Sequence, residues 1–172
     1  MELEKDETLD DLLSDGMMIY QSKKLYRFTS DAVLLSKFAD YKNGEIVADL
    51  CSGAGIVGLN YYVLHKETKK ICSFEVQKGL HDLFVKTVKY NGLESVIFPY
   101  NTPVQEIPSA FNGEFSLVLC NPPYKKENSG IVNPEESDAL ARHELKITFA
   151  EIVNAAERLL KRGGRFCACQ RI

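Results

Sequence analysis

The sequence predicts a single α/β domain built on a parallel sheet that is wrapped by helices. From Ile46 onward, short apolar strands alternate with amphipathic helices, which is the pattern of repeated strand–helix–strand units. The fourth of these strands, residues 115–120, is apolar at four successive positions, as expected for a strand covered on both faces. A chain of 172 residues with 45% hydrophobic and 26% charged residues is long enough to bury such a core.

The residues ahead of this pattern predict a hairpin and a helix. After a polar lead-in over residues 1–15, the segments Met17–Tyr20 and Lys24–Phe28 are typical of two strands joined by a short turn. Thr29 or Ser30 then caps a helix with an acid in its first turn, where negative charge is favoured. The helix has apolar residues spaced to share one face: Val33, Leu34, Leu35, Phe38 and Ala39.

The core is expected to begin after Asn43-Gly44 and to hold five strands. The predicted strands are residues 46–50, 70–75, 96–100, 115–120 and 165–169, and the predicted helices are about 55–66, 78–90 and about 147–161. Asn91-Gly92 and Gly163-Gly164 end the second and third of these helices, and a polar stretch over 125–138 predicts a surface loop. We therefore divide the chain into a lead-in, hairpin and capping helix over residues 1–43 and a core over residues 44–172.

Composition and charge exclude several classes of protein. Five cysteines are present without a CxxC pair, so we expect reduced thiols rather than a zinc site or disulfides. The net charge of -3 argues against an extended nucleic-acid surface, so RNA would have to use local patches. No apolar run approaches the roughly 20 residues of a membrane span. The acidic N-terminal residues do not resemble a secretory signal, so a cytoplasmic location is expected.

The first functional motif lies where the first core strand turns into a helix. Residues 53–58 satisfy G-x-G-x-x-G, a loop that typically binds the pyrophosphate of a dinucleotide at the helix N-terminus. Asp49 precedes Gly53 and would place a carboxylate beside those phosphates, which Coulomb repulsion disfavours. S-adenosylmethionine has no phosphate and carries an ammonium and a sulfonium. An acid beside a close glycine backbone therefore favours this cofactor.

Two polar residues at the following strand ends extend the predicted cofactor site. Glu75 ends the second core strand. In nucleoside-binding sheets, an acid at this position accepts hydrogen bonds from both ribose hydroxyls. This position does not separate a dinucleotide from S-adenosylmethionine, because both contain ribose. Asn101 follows the third strand, and its amide oxygen can accept a hydrogen bond from the adenine amino group.

The second motif, Asn121-Pro122-Pro123-Tyr124, follows the fourth core strand directly. It suits methylation of an amino nitrogen, whose delocalised lone pair is a poor nucleophile. The Asn121 side-chain oxygen and the Pro122 carbonyl can each accept one amino hydrogen and so aim the lone pair at the methyl group. The two prolines fix these acceptors, and the Tyr124 ring can stack on a flipped base. Open parallel sheets bind ligands at such strand ends, which favours catalysis over a merely rigid turn.

With both motifs in view, the chain resembles a class I S-adenosylmethionine-dependent methyltransferase. Four stretches are similar to the bacterial tRNA methyltransferases that modify N6 of the adenine beside the anticodon of valine tRNA. They are residues 28–35 (FTSDAVLL), 49–53 (DLCSG), 120–124 (CNPPY) and 141–144 (ARHE), and the resemblance covers about residues 17–172. It implies a Rossmann-like sheet with the strand order 3-2-1-4-5, and methyl transfer to adenine N6 in RNA, with tRNA as the expected partner.

The resemblance also implies roles for individual residues. The target base is assigned to Asn121, Pro122, Pro123 and Tyr124, and no metal is expected. The cofactor is assigned to Phe28, Thr29, Asp31, Asp49, Ser52, Gly53, Gly55, Glu75, Val76, Asn101 and Asn121. Cys51 and Asn101 depart from the general methyltransferase pattern, which usually has glycine and an acid at these positions. Arg142 and His143 are candidates for RNA contact or for organising the loop before them.

Three alternatives stay open at this point. The NPPY chemistry also serves protein glutamine N5-methyltransferases, in which a helical domain ahead of the core would be expected. The glycine loop also suits an NAD(P)-binding oxidoreductase. The third alternative is an inactive fragment, because class I methyltransferases usually continue after the fifth strand with a helix and a two-stranded hairpin. We therefore expect a C-terminally truncated sheet without that hairpin, and self-association through the exposed fifth strand.

Overall fold

The computed structural model of the chain describes residues 3–12, 15–122 and 147–170. In chain order, their elements are β1 (Glu7–Asp11), β2 (Met18–Ser22), α1 (Ser30–Phe38), β3 (Ile46–Leu50), α2 (Ile56–Leu64), β4 (Lys70–Phe74), α3 (Lys78–Tyr90), β5 (Ile97–Tyr100), β6 (Phe115–Cys120), α4 (Phe149–Leu159) and β7 (Leu160–Ala168). Two short 3-10 helices, Val104–Glu106 and Ser109–Phe111, lie between β5 and β6. No helix of these described ranges is long and apolar enough to cross a membrane.

Five strands form a parallel sheet in the order β5-β4-β3-β6-β7. When the core strands alone are numbered, this is the order 3-2-1-4-5 that the family resemblance implies. In the register, Val47 of β3 lies opposite Ile71 of β4 on one side and Leu117 of β6 on the other. The chain winds outward in both directions from β3, so the carboxyl ends of β3, β4 and β6 border the crevice where open α/β sheets bind ligands.

Apolar side chains on the two faces of the sheet belong to two cores. One core lies beneath α1, α2 and α3 and includes Val47 and Leu117. The other lies beneath α4 and the 3-10 helices and includes Ala48 and Val118. β6 is buried at every position, which confirms the prediction of a strand covered on both faces. These buried strands hold the loops at their carboxyl ends in fixed positions.

The predicted core elements agree with the structure to within two residues at nearly every end. The exception is the last strand, which begins at Leu160 and not at residue 165. Leu160 pairs with Phe115, and Arg165 pairs with Leu117, so the residues between the two pairs bulge out of the ladder. Gly163 has a φ of +77° in this bulge. The glycines that were predicted to separate helix and strand therefore lie inside β7.

The predicted set of strands differs from the observed one. The prediction was a five-stranded core that lacks C-terminal strands, preceded by a two-stranded hairpin. The described residues contain seven strands, of which the last is the nine-residue β7. The expected lack of a further hairpin after β7, the self-association through β7 and the division of the chain at residue 43 stay predictions. The first two of the seven strands form a separate antiparallel hairpin.

The pairing of this N-terminal hairpin differs from the prediction. β2 contains most of the first predicted strand, but it pairs with β1, which lies in the supposed polar lead-in. The reason is a tertiary contact with α3. The Tyr20 amide donates to Thr87 Oγ1 (3.0 Å), and the Asn91 side chain bonds both the amide (3.0 Å) and the carbonyl (2.8 Å) of Met18. α3 therefore occupies the second edge of β2, and residues 23–28 form no strand.

α1 begins as predicted, with Thr29 at its N-cap position, but its apolar residues do not all face the core. Leu35 is 2% exposed, whereas Leu34 is 61% and Phe38 is 76% exposed. The face that packs on α2 carries a polar pair, in which the Asn60 amide donates to Ser36 Oγ. This buried contact turns Leu34 and Phe38 outward, so the prediction of one apolar face is wrong.

Candidate active site

A cavity of about 340 Å³ lies at the carboxyl ends of β3, β4 and β6. Six residues predicted for the site line it: Phe28, Ser52, Gly53, Glu75, Val76 and Asn121. They come from the β2–α1, β3–α2 and β4–α3 connections and from the position directly after β6. The strands are parallel and end at one edge, so residues far apart in sequence meet in one cavity. This cavity brings together the two motifs found in the sequence.

The loop between β3 and α2 is shaped by left-handed backbone conformations. Cys51, Gly53 and Gly55 have φ angles of +56°, +58° and +91°. The Gly55 amide donates to the Ser52 carbonyl (2.9 Å), which closes the turn. A Cβ on Gly55 would lie 2.1 Å from Cε2 of Phe84, so only glycine fits between the loop and α3. A Cβ on Gly53 would meet nothing within 4 Å, and its backbone is therefore open towards a ligand.

The Asp49 carboxylate lies behind this loop and does not line the cavity. It is fully buried, and its Oδ2 accepts a hydrogen bond from the Gly58 amide in the first turn of α2 (3.0 Å). Burial raises the pKa of Asp49 to about 7, the negative charge of Glu75 acts in the same direction, and the Gly58 hydrogen bond opposes them. Asp49 therefore supports the helix that follows the loop through Oδ2, while Oδ1 has no hydrogen-bond partner within the described residues. The direct contact with the cofactor stays a prediction.

Glu75 is the acid that faces the cavity. Its Oε2 accepts a hydrogen bond from the Gly53 amide (2.7 Å), and its Oε1 accepts one from the Gln77 amide (2.8 Å). Glu75 is 5% exposed, and burial raises its pKa although these backbone hydrogen bonds favour the charged form. Each carboxylate oxygen has a further lone pair. The group can thus accept two ligand hydroxyls while two loops hold it in place.

Asn101 does not line the cavity. Its side-chain amide donates to the backbone carbonyls of Glu75 (2.9 Å) and Val76 (3.0 Å), and so ties the end of β5 to the β4–α3 loop. The neighbouring Thr102 and Pro103 line the cavity in its place. Asn101 therefore fixes the loop that carries Glu75 through its amide nitrogen. The predicted adenine contact, which would use the amide oxygen, stays a prediction.

Thr29, Asp31 and Gly55 also lie outside the cavity lining. The first two begin α1, which packs against α2, and the Asp31 carbonyl accepts a hydrogen bond from Cys169 Sγ (3.5 Å) beyond β7. Gly55 is covered by the Phe84 ring. Of the motif after β6, Asn121 and Pro122 are described. Pro123, Tyr124, Arg142 and His143 lie outside the described residues.

The structure adds cavity residues that neither motif indicated. The segment Lys23–Phe28, here called the strap, borders the cavity through Lys23, Lys24, Leu25, Tyr26 and Phe28. A second group, Thr102–Gln105, and the single residue Ile147 complete other parts of the lining. The signals for the strap in the sequence are its basic residues and their alternation with apolar ones, and that alternation by itself predicts a strand.

Cys51, which departs from the usual methyltransferase pattern, lies beside Cys120. Leu50 is opposite Cys120 in the register, so the next residue follows the end of β6 closely. Burial raises the pKa of the Cys120 thiol well above its ordinary value, and its hydrogen bond with the Cys51 thiol acts in the same direction. A cysteine is therefore accommodated at this loop position by packing against the neighbouring strand.

The order of the sheet, the glycine loop after its central strand and the acid at the end of β4 are features of the class I S-adenosylmethionine-dependent methyltransferases, and the family match supports this class. Residues 28–170 match the model of the Methyltransferase small domain. The chain therefore belongs to this family, and its cofactor is S-adenosylmethionine.

Curated proteins similar to this chain share one printed name, tRNA1(Val) (adenine(37)-N6)-methyltransferase. The protein from Flavobacteriaceae bacterium (strain 3519-10) is 28% identical over 152 residues, which cover 87% of this chain and 61% of that protein. The protein from Haemophilus influenzae (strain PittGG) is 28% identical over 149 residues, which cover 84% of this chain and 62% of that protein. This chain spans 61–62% of the length of these two relatives.

Solved structures with the same fold include two proteins from archaea. The M. jannaschii tRNA m1G37 methyltransferase has a TM-score of 0.63 at 19% identity, over 96% of this chain and 42% of that chain. TYW2 from P. horikoshii, solved in complex with MeSAdo, has a TM-score of 0.63 at 16% identity, over 93% of this chain and 50% of that chain. At these identities the likeness shows the fold.

The cavity residues fit the cofactor of the family. The Ser52 side chain is 4% exposed, and its hydroxyl has no hydrogen-bond partner within the described part of the chain. It lies beside the open backbone of Gly53 and so offers polar groups to the amino-acid end of a ligand. Glu75 offers lone pairs to ribose hydroxyls, and Phe74 and Leu80 supply apolar lining. A cationic ligand without phosphate also suits a cavity next to two buried carboxylates.

We predict that Gly55→Ala destabilises the protein by about 2–4 kcal/mol, because the new methyl group would overlap the Phe84 ring and the backbone would be strained at a positive φ. Gly53→Ala is the matched control, since it carries the same kind of backbone strain in open space, and we expect it to cost only about 1 kcal/mol. Urea unfolding of both variants and the wild type measures the difference. Equal losses for the two variants would contradict the packing described for Gly55.

We predict that Asp49 makes the protein less stable as the pH rises. Its pKa is about 7 in the folded protein against the ordinary value of 3.8, so folding takes up a proton between these values. The free energy of unfolding should therefore fall between about pH 4 and pH 7, at up to about 1.4 kcal/mol per pH unit from this group. Asn at position 49 should remove that part of the slope and leave the part due to Glu75.

Urea unfolding of wild type and Asp49→Asn at a series of pH values checks this dependence. The amide keeps an oxygen that can accept the Gly58 hydrogen bond, so the variant tests the charge rather than the contact. A variant with the same pH slope as the wild type would show that the carboxyl group is not held in a raised-pKa environment.

Proposed function

We propose that this protein transfers the methyl group of S-adenosylmethionine to N6 of an adenine in RNA, with tRNA as the substrate class and the adenine next to the anticodon as the target. The observation that carries the proposal is the presence of Asn121 in the same cavity as Ser52 and Glu75. The printed names of the curated relatives, which specify adenine 37 of tRNA1(Val), support the choice of acceptor.

The chemistry proposed for Asn121 follows from its place directly after β6. An exocyclic amino nitrogen has two hydrogens and a lone pair that is delocalised into the ring, so it must become tetrahedral before it can attack. The Asn121 side-chain oxygen accepts one hydrogen and the Pro122 carbonyl accepts the other. Both acceptors are fixed beforehand by a fully buried strand and by the proline ring, which lowers the cost of reorganisation.

The cofactor supplies an electrophilic methyl group on a sulfonium when it is bound. The Glu75 carboxylate would hold the ribose hydroxyls, and the Ser52 hydroxyl with the Gly53 backbone would hold the amino-acid end. The buried charges of Asp49 and Glu75 offset positive charge on the ligand at this end of the sheet. The methylated amino nitrogen is strongly acidic and loses its proton to solvent, so the proposed mechanism needs no pair of acid and base side chains.

One assay identifies the acceptor. The protein is incubated with methyl-labelled cofactor and unmodified tRNA transcripts, and in parallel with cell proteins, and the products are digested and separated by mass spectrometry. We expect N6-methyladenosine from the tRNA. Label on glutamine in protein, with none in RNA, would contradict the proposal and support the second acceptor class that shares the Asn-Pro-Pro-Tyr chemistry.

We predict that Asn121→Ala lowers the rate of methyl transfer by about 10²–10³-fold, because the variant loses a preorganised acceptor for the amino group. Cofactor affinity, measured by calorimetry with S-adenosylhomocysteine, should change only a few-fold because Glu75 and the glycine loop stay intact. Asn112→Ala is the matched control, since this exposed asparagine bonds Arg158 away from the cavity. An Asn121 variant as active as the control would remove the residue from the proposed mechanism.

A further inference from the structure

The strap, residues 23–28, divides its side chains between the protein and the solvent. Leu25 and Phe28 are half-buried, whereas Lys23, Lys24, Tyr26 and Arg27 are exposed. Tyr26 lines the cavity and is 51% exposed, so this residue borders both the ligand site and the solvent. An aromatic ring among three cationic side chains therefore stands at the rim of the cavity.

The strap is held in place from two sides. Leu25 packs on the first turn of α3, where a Cβ on Gly79 would lie 3.0 Å from Leu25 Cδ1. The Lys23 amide donates to the Asp6 carbonyl (2.9 Å), which links the strap to the hairpin. The hairpin is itself fixed to α3 by the contacts of Met18 and Tyr20. The cationic side chains thus project from an ordered backbone.

Two of these cations are paired with carboxylates of the hairpin. Lys24 Nζ lies 2.6 Å from Asp6 Oδ2, and Arg27 Nη2 lies 2.8 Å from Asp10 Oδ2. The Lys24 side chain is 74% exposed and that of Arg27 is 51% exposed. Exposed pairs of this kind contribute little to stability, so their partners can be exchanged for other anions.

We propose that the strap is the contact surface for the RNA strand that flanks the target nucleotide. Lys24 and Arg27 exchange the carboxylates of Asp6 and Asp10 for backbone phosphates, and a neighbouring base stacks on the Tyr26 ring. This inference rests on the RNA substrate of the proposed function, and it adds the surface and the residues that bind the strand.

The chemistry of the rim favours RNA over other occupants. The chain has a net charge of -3, so a polyanion needs a local group of cations, and the strap supplies one next to the cavity. Platforms for single-stranded nucleic acid combine basic side chains with an aromatic ring on which bases stack. A cover for the cofactor alone would require Leu25 and Phe28 but not the exposed cations. The two aspartates hold Lys24 and Arg27 in a position suited to an anion.

The exchange of carboxylates for phosphates is tested by two kinds of substitution, one that removes a cation of the strap and one that removes its carboxylate partner. Binding of an unmodified tRNA transcript is measured by fluorescence anisotropy across a series of salt concentrations, with methyl transfer and S-adenosylhomocysteine affinity measured on the same preparations. Lys24→Gln and Arg27→Gln should each weaken tRNA binding about 3- to 10-fold and lower the dependence of log affinity on log salt by about 0.7. Asp6→Asn should strengthen tRNA binding, because Lys24 no longer has a competing carboxylate.

Variants of Tyr26 test the stacking of a base, and a lysine away from the cavity serves as a control. Tyr26→Ala should weaken tRNA binding at least about fivefold, and Tyr26→Phe should retain it, because stacking requires the ring and not the hydroxyl. Lys66→Gln is the control for charge, since this exposed lysine pairs with Asp15 at 2.7 Å and does not line the cavity. Cofactor affinity should be unchanged in Arg27→Gln, Asp6→Asn and Lys66→Gln, because none of these residues lines the cavity.

Two results would overturn the inference while leaving the proposed function in place. The first is a wild type that methylates tRNA together with Lys24 and Arg27 variants that bind tRNA no more weakly than Lys66→Gln. The second is an Asp6→Asn protein that loses tRNA affinity as Lys24→Gln does, which would show that the pair only holds the strap. A wild type that transfers no methyl group to RNA would instead contradict the proposed function itself.

Discussion

The hydrogen bond from the Gly53 amide to the Glu75 carboxylate joins the two loops on which the cavity depends. One loop follows β3 and the other follows β4, and the parallel register of these strands brings their ends together. The Gln77 amide holds the second carboxylate oxygen, and the Asn101 amide holds the backbone of Glu75 itself. The acid that faces the ligand is therefore fixed by backbone groups before any ligand arrives, so binding does not have to order it.

Two buried carboxylates at one end of the sheet are costly for a folded protein. Burial raises the pKa values of both Asp49 and Glu75, and the charge of Glu75 adds to the effect on Asp49. A ligand with an ammonium and a sulfonium offsets this cost, whereas a pyrophosphate would add to it. The same balance explains how a glycine loop of dinucleotide type serves a different cofactor. Stability is exchanged here for electrostatic complementarity to the ligand.

The sequence predicted those parts of the fold that are determined locally. Buried apolar runs bounded by turn residues define β3, β6 and α3, and the alternation of strands with helices predicts a parallel sheet. The order of its strands came from the family resemblance. The hairpin pairing could not be predicted, because its partner edge is occupied by Thr87 and Asn91 of a helix more than sixty residues away. Leu34 faces outward for a similar reason, since a tertiary polar contact sets the rotation of α1.

The candidate site likewise has parts that the motifs predicted and parts that depend on tertiary contacts. The motifs placed Ser52, Glu75 and Asn121 in one cavity, because strand ends in a parallel sheet share one edge. They could not show that Asp49 turns to the helix behind the loop, since the direction of a side chain depends on which backbone amide it can reach. Phe28 is the one strap residue that was predicted for the site, because the place of the others follows from packing on α3 rather than from a motif.

The most direct test of this account is a crystal structure of the protein with S-adenosylhomocysteine. The account predicts that the ribose hydroxyls lie within hydrogen-bond distance of the Glu75 carboxylate, with the sulfur directed towards Asn121. A nucleoside bound elsewhere, or bound in this cavity without contact to Glu75 and with its sulfur far from Asn121, would contradict it.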